Sequence, residues 1–258
     1  MEENNLNVEN KIIQNKNEAM SELNRYLDAC LLSDKKHIKK ANLLSYWLKD
    51  YIKYIEQEET FNPSILKEYS RGDVIKVNLG FNIGNEEGGL HYCVVLDKKN
   101  AKSYSTLTVV PLSSLKPTSK PNKTSVFLGN DIFMNLLDKN DKIIKAVEKR
   151  IEHCKAEISK LQQLPSNTEE EQIIKNYKRS QIQIILKDND EKLKLAEKIN
   201  SELHQMKSGS IALINQITTI SKQRIYNPKK DFDILSDIKI PDEKMNLIDQ
   251  KIKKLFLN

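Results

Sequence analysis

Glycine placement constrains this chain more than any other feature. The seven glycines stand at 72, 80, 84, 88, 89, 129 and 209, and none lies in 1–71, 130–208 or 210–258. Turns and strand corners need glycine, while helix interiors exclude it. The pattern predicts a β-rich segment from about 68 to 130 flanked by helical stretches.

Hydrophobic spacing agrees with that division. Met20, Leu23, Leu27 and Cys30 recur at intervals of three and four, as do Ile38, Ala41, Leu44, Leu48, Tyr51 or Ile52, and Ile55. Ser33-Asp34 between them reads as a break and N-cap, so two amphipathic helices are expected. Residues 1 to about 10 are expected to be disordered. Alternation over 74–79, an apolar run from Tyr92 to Leu96, Thr106 to Leu112, and Ser125 to Leu128 predict four strands. The third is ended by Pro111 and Ser113-Ser114, and the turn residues of LKPTSKPNK precede the fourth.

From about 132 the period becomes helical. Phe133, Leu137, Asn140, Ile144, Val147, Ile151, Cys154, Ile158 and Leu161 form a heptad seam. Pro165-Ser166-Asn167 interrupts it, and Thr168 with Glu171 makes a capping box for a return helix. Its less regular seam runs through Ile182, Leu186, Asn189, Leu193, Ala196, Ile199, Leu203 and Met206. An antiparallel hairpin with arms of about 50 Å is implied. Asn140 and Asn189 interrupt its seam and are candidates for fixing register. A strand then returns over Ile211 to Ile220, and a helix covers about 241–257. The domain reading is a helical extension over 1–67, a β-domain built from 68–130 plus 208–258, and an inserted hairpin over 131–207. That hairpin reads as an accessory arm that folds largely on itself, so excising 135–205 is expected to leave the β-domain folded. The alternative is that it packs on the N-terminal helices, whose Trp47, Tyr51 and Tyr54 need cover, and that excision causes aggregation.

Charge follows the same boundaries. Residues 68–130 carry eight basic against five acidic residues and 208–258 nine against six, so these two pieces hold the whole net charge of +6. The helical additions cancel, at −1 for 1–67 and +1 for 131–207. A basic balance confined to one module suits a polyanion; an ordinary lysine-rich surface would give it too. No apolar run reaches membrane-spanning length, and the acidic opening MEENNLNVEN is unlike a signal peptide, so no membrane and a cytoplasmic location are expected. Cys30, Cys93 and Cys154 are odd in number, far apart and set in apolar patterns, which predicts reduced buried thiols. Four scattered histidines give no metal-ligand spacing, so no metal and no cofactor are expected.

RGDVIKVNLGFNIGNEEGGLHYCVVLDKK resembles the opening of MazF/PemK toxins: a GD-initiated strand, a GSExGG loop and a second strand of the form xRPxxVL. LTVVPLSS is similar to the family's VVPxTS, GSIALINQITTISKQRI to its SxxLxEQIxTIxKxRL, and PDEKMNLIDQKIKKLF to its terminal helix. The resemblance implies an α+β chain in which a small SH3-like β-barrel of the MazF/PemK/CcdB type carries N-terminal helices, the inserted hairpin and a C-terminal helix. It also implies a toxin-type endoribonuclease acting on single-stranded RNA such as mRNA, a cognate antitoxin protein as partner, and a homodimer.

Carried over residue by residue, the family's reactive arginine falls on His91 and its threonine or serine on Ser113. His91 departs from the pattern. Arginine holds its proton but neutralises phosphate, whereas an imidazole shuttles protons and is a weaker fixed charge. Metal-free cleavage would let the 2′-OH attack and leave 2′,3′-cyclic phosphate and 5′-OH ends. Packing at a loop–strand junction is the alternative for His91, and a turn role the alternative for Ser113. Glu86 matches the loop glutamate, either as a base or orienting group or as a solvated carboxylate. Asn85, Gly88 and Gly89 share that loop, whose glycines would let it lie close to RNA. Gln216 matches the QI of the fourth motif. Lys76 and Arg71 are candidate phosphate contacts or solvated edge charges, and Tyr92 and Phe81 candidate stacking rings or core. His153 and His204 read as surface residues. A barrel that binds RNA or protein without cutting, and a scaffold recruiting a protein, are the competing functions.

Overall fold

The computed structural model describes residues 2–115, 122–165, 168–207 and 209–257, with side chains from residue 7 onward. Much of the expected LKPTSKPNK turn, Ser166-Asn167 of the hairpin break and Ser208 lie outside the described residues. Two compact units result: Met1–Phe61 with Gly80–Gly89, and Asn62–Leu79 with Leu90–Asn258.

The first unit contains α1 (Glu2–Leu31) and α2 (Lys35–Glu56). The helix from Glu2 corrects the expectation of disorder over the first ten residues. Leu31 ends α1, and Asp34 caps α2 as its sequence position predicts, its Oδ1 accepting the His37 N–H at 2.9 Å. Cys30 and Ala41 are buried near the turn, and Trp47 packs against Tyr51 and Tyr54 at 5.6 and 6.2 Å between ring centroids.

In the second unit seven strands form one sheet: β1 (Val74–Asn78), β2 (Leu90–Val95), β3 (Thr106–Ser114), β4 (Ser125–Gly129), β5 (Ser210–Leu213), β6 (Thr218–Ser221) and β7 (Ile225–Asn227). Every described ladder is antiparallel, in the order β4-β5-β3-β2-β1-β7, with β6 also on β3. The predicted strand over 211–220 is two strands. A 3-10 turn at Ile214–Gln216 shifts the register, so β5 pairs with Leu112–Ser114 and β6 with Thr106–Val109.

The expected closed SH3-like barrel is not formed. The sheet is open, because β4 at one end pairs with β5, β7 at the other pairs with β1, and no ladder joins the two ends among the described residues. Helices cover the open inner face instead. The hairpin α3 (Asp131–Gln163) and α4 (Glu169–Gln205) contributes Ile132, Leu136, Ile199 and Leu203 to the main core, and α5 (Asp242–Ile252) adds Met245 and Ile248. They meet Val74, Val94, Val110, Leu112 and Ala212 of the sheet.

The capping box forms as read, with Glu171 N–H donating to Thr168 Oγ1 at 3.2 Å and Thr168 N–H to Glu171 Oε2 at 3.1 Å. Along the arms, Asn140, Val147, Cys154 and Leu161 are buried, while Ile158, Leu186 and Leu193 of the expected seam are exposed. Two helices alone bury a narrow stripe, so the flanks of the seam stay in water. Cys154, Leu161 and Ile182 form a separate distal cluster. Arg150 Nη1 meets Asp188 Oδ2 at 2.5 Å between the two clusters.

The hairpin base therefore shares the core of the sheet, which argues against excising 135–205. Replacing 152–186 with a short Gly/Ser turn is expected to leave a folded, monodisperse protein. Replacing 135–205 is expected to give aggregated protein, and Leu136→Ala to cost about 3 kcal/mol. Chemical denaturation and size-exclusion chromatography check all three; a soluble, strand-rich product of the long excision would contradict the shared core.

Candidate active site

β1 and β2 form the scaffold. Their register pairs Lys76 with Tyr92 and Val77 with His91. Paired residues of an antiparallel ladder share a face and neighbours alternate, so Lys76 and Tyr92 project to one side and His91 to the other.

On the first side Lys76 Nζ reaches Glu202 Oε1 of α4 at 2.5 Å, lies 5.2 Å from the Tyr92 ring centroid, and Tyr92 OH donates to the same carboxylate oxygen. Both charged side chains are largely shielded, at 17% and 16% exposure. Burial, then the Glu202 hydrogen bond and charge, pushes the Tyr92 phenol far above its ordinary value, so it remains a donor. Arg71 donates from Nη1 to Leu96 O at 2.6 Å and forms an ion pair with Asp249 of α5. The two cations expected as phosphate contacts thus have carboxylate partners in the fold.

His91 is half-buried, and its Nδ1 lies 3.2 Å from the carbonyl oxygen of Leu112 on β3. A carbonyl only accepts, so Nδ1 carries the hydrogen in this contact. The next residue on β3 is Ser113, half-buried and paired with Ile211 of β5. It lies within a strand, since β3 runs on to Ser114. Gln216, also half-buried, ends the 3-10 turn between the two strands that share the far edge of β3. His91 thus reaches the main chain of β3, Ser113 lies on that strand, and Gln216 ends the turn between β5 and β6.

Asn85, Glu86, Gly88 and Gly89 belong to the other unit, in a loop tied to itself. Gly89 N–H donates to Gly80 O at 2.6 Å, Asn82 Nδ2 to Glu87 O at 2.6 Å, and Ile83 N–H to Glu86 Oε2 at 3.3 Å. A Cβ on Gly88 would stand 2.8 Å from Gly80 O, so glycine is required there by contact. Phe81 is half-buried, while Asn85 and Glu86 are exposed.

The sequence reading missed two elements. The Leu112 carbonyl is main chain and leaves no signal in residue type. Lys222, 1% exposed, donates from Nζ to Ala101 O at 3.0 Å, and burial pushes its ammonium below the usual range. Its position in the KQR of the fourth motif was the available sign. The three cysteines are buried and free, and no group of His, Cys, Asp or Glu suited to a metal gathers among the described residues. No helix among them is long and apolar enough to cross a membrane.

An open antiparallel sheet with a histidine and a serine on adjoining strands, backed by helices, is the frame these observations define. Residues 70–171 match the model of a family described as PemK-like, MazF-like toxin of type II toxin-antitoxin system. That range takes in β1 to β4, α3 and the start of α4, and stops before the similar segments seen over 208–258. No curated protein matches the chain.

The shielded Lys76–Glu202 pair generates a test. Glu202→Leu leaves the ammonium without its counter-charge and the Tyr92 hydroxyl without its acceptor, which is expected to cost about 3 kcal/mol. Lys76→Met combined with Glu202→Leu is expected to recover most of that loss. Urea denaturation of the two variants decides, and equal losses would show that the charge pairing is not what matters.

Proposed function

We propose that this chain is a toxin-type endoribonuclease that cuts single-stranded RNA without a metal, through attack of a 2′-OH. The observation that carries the reading is the His91 ring held by the Leu112 carbonyl, one residue from Ser113. The family match over residues 70–171 supports it.

In this mechanism His91 Nε2 takes the 2′-OH proton as the 2′-oxygen bonds to phosphorus. The P–O5′ bond breaks, and the imidazolium returns the proton to the leaving 5′-oxygen, leaving a 2′,3′-cyclic phosphate and a 5′-OH. The Ser113 hydroxyl donates to a non-bridging phosphate oxygen. Gln216 contacts the RNA strand in the same unit; in the other unit, Asn85, Gly88 and Gly89 are proposed RNA contacts of their loop and Glu86 its carboxylate. The same reading carries a cognate antitoxin as partner, a homodimer as the working form and the cytoplasm as the place of action. A module that binds RNA or protein without cutting is the alternative, because His91 stands where the resemblance expects arginine.

Incubation with a long single-stranded RNA in EDTA, followed by end analysis, tests the proposal. Cyclic-phosphate and 5′-OH ends are expected, His91→Ala is expected to abolish cutting with the fold intact, and Ser113→Ala to slow it by roughly 10²- to 10³-fold. RNA retarded but left whole by the wild type would establish the alternative.

A further inference from the structure

A cleft of about 660 Å³ opens between α4 and the segment following β7. Its lining includes Lys198, Tyr226, Lys229, Lys230 and Phe232. Tyr226 and Phe232 are 63% and 69% exposed and lie on one cleft.

The cleft is rigidly built. Asp233 Oδ2 accepts the N–H groups of Lys229 and Lys230 at 2.6 and 2.9 Å. Tyr69 OH donates to Pro228 O at 2.7 Å, and Lys139 Nζ to Asp233 O and Ile234 O at 2.9 and 3.1 Å. Between Lys76↔Asn227 and Val77↔Ile225 the register slips, so Tyr226 is the bulged residue, turned out of the ladder. The bulge therefore sets where Tyr226 leaves the ladder.

The lining carries three lysines against the carboxylates of Glu202 and Asp233. Glu202, in the lining, is engaged by Lys76 and Tyr92, and the Asp233 carboxylate by two backbone N–H groups. Lys198, Lys229 and Lys230 have no carboxylate partner among the described residues, and Lys230 Nζ lies 5.7 Å from the Phe232 ring centroid. Exposed rings flanked by unpaired lysines on a rigid surface fit stacked bases and their phosphates. An added peptide strand fits poorly: β7 has three residues and runs into Pro228, which offers no N–H.

We propose that Tyr226 and Phe232, with Lys198, Lys229 and Lys230, form a stacking subsite for single-stranded nucleic acid. It rests on RNA being the substrate and adds a holding site apart from the reacting one. Val77 pairs with His91 on one side and Ile225 on the other, so β7 lies two strands from β2, roughly 10 Å at ordinary strand spacing. Glu202 of the cleft lies on the face opposite His91, so one RNA strand reaches both sites by passing around the β7 edge.

The test uses a fluorescein-labelled 12-nucleotide deoxythymidine oligomer, which lacks the 2′-OH and cannot be cut. Tyr226→Ala with Phe232→Ala is expected to weaken its binding roughly tenfold or more, and Tyr226→Phe with Phe232→Tyr to restore it. Lys198→Gln with Lys230→Gln is expected to lower the salt slope of log K by about 1.4. Unchanged affinity in the double-alanine variant overturns the subsite, as does ring-dependent binding of polyglutamate in preference to the oligomer. His91→Ala is expected to bind the oligomer like wild type, so loss of cutting with binding kept, or the reverse, shows which proposal failed.

Discussion

Leu136, Ile199 and Leu203, side chains of the long hairpin, are buried in one cluster with Val94 and Val110 of the sheet and Met245 and Ile248 of α5. The rest of the second unit depends on that contact. An open sheet of short strands cannot close its own core, and its inner face must be covered from outside. Each fully buried aliphatic side chain contributes about 1.5–3 kcal/mol, so these three alone supply stabilisation comparable to the net stability of an ordinary domain. The hairpin base is thus part of the module it interrupts, while the distal arms around Cys154, Leu161 and Ile182 form a cluster of their own.

Two lysine contacts orient what the apolar layer covers. Lys139 on α3 caps the carbonyls of Asp233, Ile234 and Ser236, and burial holds its ammonium below the usual range. Lys76 on β1 meets Glu202 on α4. The strand pair fixed by the second contact carries His91 at the next register position, so hairpin docking and the placement of the imidazole are coupled through β1 and β2. Its hydrogen bond to Leu112 O then ties that histidine to β3, where Ser113 follows. Positioning on paired strands suits chemistry that depends on short reach.

Local signals with a single physical cause were legible in the sequence. The Asp34 cap, the Thr168–Glu171 box and the cores of the first four strands stand where residue type and period placed them, although β3 runs on through Pro111 to Ser114. Other features were illegible because their cause is tertiary. The seam over Leu186 and Leu193 assumed a covered helix pair, whereas Ile182, Asn189, Ala196 and Leu203 follow the stripe that two helices alone bury. The split of 211–220 comes from β3 receiving two strands on one edge, which no alternation pattern encodes. Strand motifs in the right order suggested closure, but closure is a property of edge pairing, and β4 and β7 pair elsewhere. At the site, the family resemblance pointed to His91 and Ser113, but the main-chain acceptor that meets the histidine had no sequence signature. Lys76 and Arg71 looked like free cations because Glu202 and Asp249 are distant in sequence.

In the proposed reaction the substrate's own 2′-OH attacks, with His91 moving the proton. The most direct measurement follows an RNA oligomer containing one mapped cleavage site, with a single 2′-deoxy substitution at the nucleotide that would supply the attacking oxygen, incubated in EDTA beside the unmodified strand. The account predicts that the unmodified strand is cut at that bond and the substituted one is not, although both bind alike. A cut at the bond lacking the 2′-OH would contradict it.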